Sequence, residues 1–400
     1  MTFINIQDPK KNNSKPGFAL FALGFRPFFL FSGVTATIFL ALWLVTYAGI
    51  YRLETYYGYI GWHRHEMLFG YGAAVIAGFL LTAVRNWTGI QTVRGAGLAS
   101  LAGVWLLGRV LPFFADTIPP LFITVIDLAF LPALGLAVTI PIVQAKHYKS
   151  LIFLFVIALM WLGNILVHLE HLDITNNTAS RGIYLAVNAI ILAIVIIGGR
   201  VMPFFTEKAL AGVVISPGKW IERLSVPSVL AFALVELFYP GSFLTGILAA
   251  VAALIHGLRL RTWYTHRIWS IPLLWVLFTG YAWMIAGFFL MFMASLNLIS
   301  ALPVLHAFTA GAIGVMTLGM MARVSLGHTG RMLQPARLIE MCFVVINLAV
   351  AIRVFLPVVF PHGYNAFVMI SGVMWVVVFL IFTIIYTPIL IQSRVDGQPG

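Results

Sequence analysis

His63, His65 and Glu66 stand at the head of an apolar run, in Gly-Trp-His-Arg-His-Glu-Met-Leu-Phe-Gly-Tyr-Gly (61–72), where polar groups are costly to a membrane helix unless they act. Two more imidazoles close another apolar run in Asn-Ile-Leu-Val-His-Leu-Glu-His (164–171), and His306 opens a third. Imidazole suits haem iron, copper and zinc. Cys342, the single cysteine, excludes disulfides, argues against iron–sulfur ligation and rules out Cys-x-x-Cys-His attachment, so any haem is held non-covalently. Composition does not choose among the metals. Carboxylates such as Glu170 and Asp173 favour zinc, whereas a membrane setting with glycine-lined histidine helices favours haem. On a helix Asn164, His168 and His171 follow i, i+4, i+7 and share one face, so the two histidines are spaced to share a metal or to set a ligand beside its hydrogen-bonding neighbour. His63 and His65 project together only if their segment is extended; they diverge if it is helical.

Those residues must be positioned by membrane helices. The chain is 61% hydrophobic and 9% charged, far from the roughly 25% charged composition of soluble domains. Twelve windows reach the roughly 20 apolar residues needed to cross hydrocarbon: 28–50, 66–84, 95–115, 119–144, 150–169, 182–199, 224–239, 243–260, 268–292, 302–322, 337–357 and 364–391. The expected fold is therefore an all-α polytopic bundle of twelve spans in one transmembrane domain. A net charge of +12 would suggest nucleic acid in a soluble protein, but here 19 of 24 basic residues fall on one side if both termini are cytoplasmic. That bias sets the orientation, and no nucleic-acid partner is expected. Residues 1–17 read as a polar cytoplasmic tail without a signal-peptide core, and 200–223 as a cytoplasmic loop between two six-helix halves.

Topology then sorts the histidines by depth. His63, His65, His168, His171 and His306 meet at the outer level, His256 lies deeper, His147, His266 and His328 belong to inner loops, and His362 to an outer one. Gly311, Gly314 and Gly319 on span ten either let helices approach closely or clear room for a flat macrocycle. Arg85, Arg200 and Arg323 close spans two, six and ten at intervals of 115 and 123 residues. Three four-helix repeats would give that spacing, and so would arginines snorkelling at helix ends.

Gly-Phe-Arg-Pro-Phe-Phe (24–29), Trp-His-Arg-His-Glu-Met-Leu-Phe-Gly-Tyr (62–71), Gly-Phe-Leu-Leu-Thr-Ala-Val-Arg-Asn-Trp-Thr-Gly (78–89), Gly-Gly-Arg-Val-Met-Pro-Phe-Phe-Thr (198–206), His-Ala-Phe-Thr-Ala-Gly-Ala-Ile-Gly-Val-Met (306–316) and Met-Ala-Arg-Val-Ser-Leu-Gly-His-Thr-Gly-Arg (321–331) together resemble the NnrS family across nearly the whole chain. Arg85 stands where the pattern more often has proline, which touches a helix end rather than the histidines. The resemblance implies a bacterial inner-membrane protein of twelve spans that contains haem and copper and serves nitric oxide metabolism and resistance to nitrosative stress. It hands over neither a reaction nor ligands.

Depth and spacing supply an assignment: haem b on His65 and His306, copper nearer His63, His168 and His171, and Glu66 and Glu170 as proton-handling or imidazole-orienting carboxylates. An oxidoreductase acting on nitric oxide would take electrons from a donor such as quinol, although no quinone signature is evident. Histidines on spans two and ten also resemble the haem-copper oxidase core subunit, but span six has none, span ten has one, and His-Pro-Glu-Val-Tyr is missing. The rival is a transporter or metal-delivery protein with an outer histidine entry site and Asn164, Asn188, Glu236, Arg353 and Asp127 along a path.

Overall fold

Backbone chemistry delimits the helices. Pro120 and Pro272 occupy first turns, where a missing N–H costs nothing; the Ser242 hydroxyl accepts from the Thr245 N–H; and Gly89 closes a helix in the left-handed conformation at φ 72°. The computed structural model describes residues 17–398; the polar tail expected over 1–17 lies outside them except for Gly17.

Twelve long helices result: α1 (Phe25–Tyr47), α2 (Gly58–Thr88), α3 (Ala96–Val110), α4 (Pro120–Gln144), α5 (Ile152–His171), α6 (Thr178–Ala209), α7 (Lys219–Phe238), α8 (Phe243–Trp263), α9 (Pro272–Ser295), α10 (Ala301–His328), α11 (Arg337–Val359) and α12 (Tyr364–Ile391). Among the described residues eleven are long and apolar enough to cross a membrane. The other, α7, carries Lys219, Glu222, Arg223 and Glu236 in 20 residues. Two of these turn inward: Glu222 pairs with Arg259 on α8, and Glu236 is buried. The loop expected over 200–223 shrinks to 210–218, because α6 continues through Pro203 to Ala209 and α7 starts at Lys219. Polar residues there mark helix ends that outrun the apolar stretch.

α2 and α6 run through the middle of the bundle, 83% and 78% buried over their most apolar windows. α5 meets α6 at Gly163 and Gly182, where a Cβ on Gly163 would sit 2.6 Å from the Gly182 carbonyl oxygen, so only glycine permits the contact. Two helices contain π-helical segments, Glu66–Gly72 in α2 and Ala307–Val315 in α10. Each begins at the residue after a predicted ligand histidine, and a π turn is a frequent mark of a functional site. Tyr71 and Thr317 hydroxyls, 2.5 Å apart, tie the two helices together. The glycines of α10 serve helix packing: Gly311 faces Trp283, Gly314 faces Trp375 and Gly319 faces Val276. Arg200 lies 5.7 Å from the Trp87 and Phe153 rings, and Arg323 lies 3.8 Å from that of Phe205. Local cation–aromatic packing thus accounts for two of the spaced arginines.

Both described ends of the chain meet on one face of the bundle. The Ala19 N–H donates to the Ile391 carbonyl at 2.7 Å, and the Ser393 N–H to Gly17 at 2.9 Å. Arg26, fully buried, donates to the Leu390 and Gln392 carbonyls at 2.9 and 2.6 Å, satisfying groups that the end of α12 leaves without helical partners. Arg26→Ala is expected to destabilise the protein by about 2 kcal/mol, since charge-assisted bonds are lost and buried carbonyls stranded. Thermal unfolding in detergent measures this; an unchanged midpoint would mean that other bonds hold the seam.

Candidate metal centres

Residues 58–65 are α-helical, so His63 and His65 point roughly 200° apart around the axis and enter different environments. His65 turns toward α4 and α5. Its Nδ1 is 3.0 Å from Glu66 Oε1, and its Nε2 is 3.1 Å from Asp127 Oδ2 and 3.0 Å from Asn164 Oδ1. Asp127 Oδ2 also accepts from His168 Nε2 at 3.0 Å and from Asn164 Nδ2 at 2.7 Å, while Oδ1 pairs with Arg109. The Arg109 Nε lies 3.0 Å from Glu66 Oε2. All six residues are buried, and Gly70 leaves room for them: a Cβ there would fall 2.7 Å from Glu66 Oε2.

Opposite charges and polar groups meet throughout this network: both ring nitrogens of His65 face carboxylate oxygens, and Arg109 bridges Glu66 and Asp127. The His168 Nε2 lies 3.0 Å from Asp127 Oδ2, and its Nδ1 lies 3.1 Å from the Thr124 hydroxyl. Tyr57 stacks on His65 with ring centroids 4.0 Å apart. Burial pushes the Tyr56 and Tyr57 phenols above the usual tyrosine range, so both remain hydroxyls beside this network. Ligand atoms of His65, Asp127 and His168 lie within 4.8 Å of one another, a spacing able to hold one metal ion.

His63 turns the other way, into a cavity of about 380 Å³ bounded by α1, α2, α6, α10, α11 and α12. His306 lines the same cavity, with Leu40, Met67, Val187, Ile313 and Trp375 among the apolar walls. The His306 Nδ1–H donates to the Leu302 carbonyl at 3.0 Å, which directs the Nε2 lone pair away from its own helix. His63 stacks on Trp43 at 4.4 Å, and its buried Nδ1 has no hydrogen-bond partner. An apolar cavity this size with two convergent imidazoles fits a cofactor better than a packed core, where such nitrogens are normally satisfied.

The predicted residues therefore regroup. His65 joins His168 rather than His306, and His63 joins His306 rather than His168, because a helical turn separates neighbours that an extended segment would align. His171 stays at the edge of the network: its Nδ1–H donates to the Val167 carbonyl at 2.9 Å and its ring packs on Tyr56 and Tyr57. Glu66 lies where a carboxylate orients an imidazole, but Glu170 instead accepts from the Ala179 N–H at 2.6 Å, capping the first turn of α6. Asp127, Arg109, Thr124 and Tyr56 were not expected at the centre. A lone aspartate in span four and a lone arginine ending span three were the available signals, since ionised groups at such depth need each other.

Fold and site define a polytopic helical membrane protein with a buried His-Asp-His group able to bind metal. More narrowly, the chain belongs to the NnrS protein family, whose model matches residues 19–394, and is a membrane protein of the nitric oxide response. No curated protein matches it.

Proposed function

We propose that this protein handles nitric oxide in the bacterial inner membrane with haem b in the His63–His306 cavity and copper at His65, Asp127 and His168, protecting against nitrosative stress. The cavity carries the reading: an apolar chamber presents two imidazoles, one with Nδ1 engaged by its own helix so that Nε2 is available, the other with a buried nitrogen lacking any partner. His63 and His306 would hold the haem, which when bound would supply a ferrous iron for nitric oxide, and His65, Asp127 and His168 would hold the copper, which would supply one-electron chemistry. The chain's residues do the rest. His306 is held in one tautomer by Leu302, Trp43 stacks against His63, and the largely apolar walls suit a small apolar gas. The basic-residue bias supports an orientation with both termini in the cytoplasm and both sites toward the periplasm. Quinol is the donor class that suits a chain of this kind.

An optical spectrum and metal analysis of the purified protein test the reading. The expected result is a Soret band that shifts with nitric oxide, together with stoichiometric copper. A colourless protein would turn the histidines over to transport or metal delivery, although Asp127 and Asn164 are engaged in a closed network rather than lining a path.

A further inference from the structure

We infer that Arg353 is the anchoring group for a carboxylate of the cavity's occupant, with Arg64 at the mouth receiving a second, so that the chamber selects a dianionic tetrapyrrole. This rests on the haem reading above and extends it from the iron to the other end of the ligand. Arg353 is 8% exposed, inside α11, and lines the cavity. A buried guanidinium within a span is costly unless an anion meets it. Two of the other buried arginines meet anions, Arg109 facing Glu66 and Asp127 and Arg259 making a two-pronged pair with Glu222 at 2.9 and 2.5 Å, whereas Arg26 donates to carbonyls at the end of α12 and Arg323 packs on Phe205, neither of them in a cavity. Arg353 has no carboxylate partner among the described residues. It donates to the Tyr364 hydroxyl at 3.1 Å and lies 5.2 Å from that ring, contacts that orient the fork without neutralising it.

The chamber repeats the imbalance. Two arginines line it, Arg64 and Arg353, and none of its lining residues is acidic. Arg353 lines the same cavity as His63 and His306, so one ligand can meet all three. An apolar chamber that presents imidazole nitrogens together with two arginines and no carboxylate fits a flat apolar ring bearing metal at its centre and two carboxylates on one edge. A neutral quinone or a lipid chain leaves both cations unmatched.

Apoprotein from haem-limited cells, titrated in detergent with haem and with haem dimethyl ester and read by absorbance, tests the anchor. Wild type is expected to prefer the free acid by about tenfold or more, the worth of a charge-assisted bond in a desolvated site. Arg353→Met should lose most of that preference while still forming the ligated spectrum with each porphyrin, and Arg353→Lys should recover part of it. Helix content by circular dichroism guards against misfolding. An unaltered preference in Arg353→Met, or equal binding by wild type, overturns the anchor and leaves the haem reading standing. Failure of wild type to bind either porphyrin overturns both.

Discussion

Asp127→Ala is expected to be the most damaging single substitution in the protein, lowering stability by about 3–5 kcal/mol, because it strips a carboxylate from the buried Arg109 guanidinium and from the buried His65, His168 and Asn164 side chains at once. Arg109 would keep Glu66 alone, and His65 Nε2 would keep only the Asn164 oxygen. Hydrocarbon surrounds the bundle, so water cannot readily replace the lost carboxylate. Asp127→Asn preserves shape but not charge, and three donors still aim at the Oδ2 position, from His65, His168 and Asn164. It should therefore recover only a minor part of the loss. Asp127→Leu combined with Arg109→Met removes a cation with its anion and should cost less than the sum of the two single changes. Thermal unfolding in detergent gives the cycle. Additive costs, or a loss below about 1 kcal/mol for Asp127→Ala, would mean that solvent reaches the network. Metal analysis adds a second readout: copper should fall with Asp127→Ala and haem should stay, since Asp127 is not part of the cavity wall.

The spans were legible because each is a continuous apolar run bounded by glycine, proline or charge, and the helices match the twelve windows to within a few residues at most ends. Gathering of the histidines at one end was legible too, since it needs only topology. What the sequence withheld was rotation. His63 and His65 differ by two positions, and only the helical state of 58–65 decides that they face opposite ways. The π-helical turns after His65 and His306 add a further rotation that no apolar periodicity announces. Arg109 and Asp127 were visible as isolated charges, but their pairing across two spans is a fact of packing. Glu170 misled for the opposite reason: a carboxylate next to two histidines in sequence caps the following helix in space.

Rotation also makes the proposed haem ligands separable by mutation. His306→Ala and His63→Ala should each abolish or strongly diminish the Soret band of purified protein, whereas His65→Ala and His168→Ala should leave it and remove copper. Pairing haem with His65 and His306 predicts the reverse for His63 and His65, so the four variants decide between a ligand set read from depth along the chain and one read from side-chain direction. Stability supplies the control. His65→Ala breaks contacts with Glu66, Asp127 and Asn164 and should lower the unfolding midpoint sharply, yet its haem should survive in whatever protein remains folded. His63 has no partner to lose at Nδ1, only its stacking on Trp43, so His63→Ala should cost less stability than His65→Ala while losing the cofactor. Exogenous imidazole provides the decisive arm: with His306→Gly it can enter the vacated space and restore the band, because that side chain's role is to present a nitrogen rather than to hold helices together. A band that imidazole fails to restore, in protein whose helix content is unchanged, would remove His306 from the ligand set. Loss of stability without loss of colour in His63→Ala would do the same for His63.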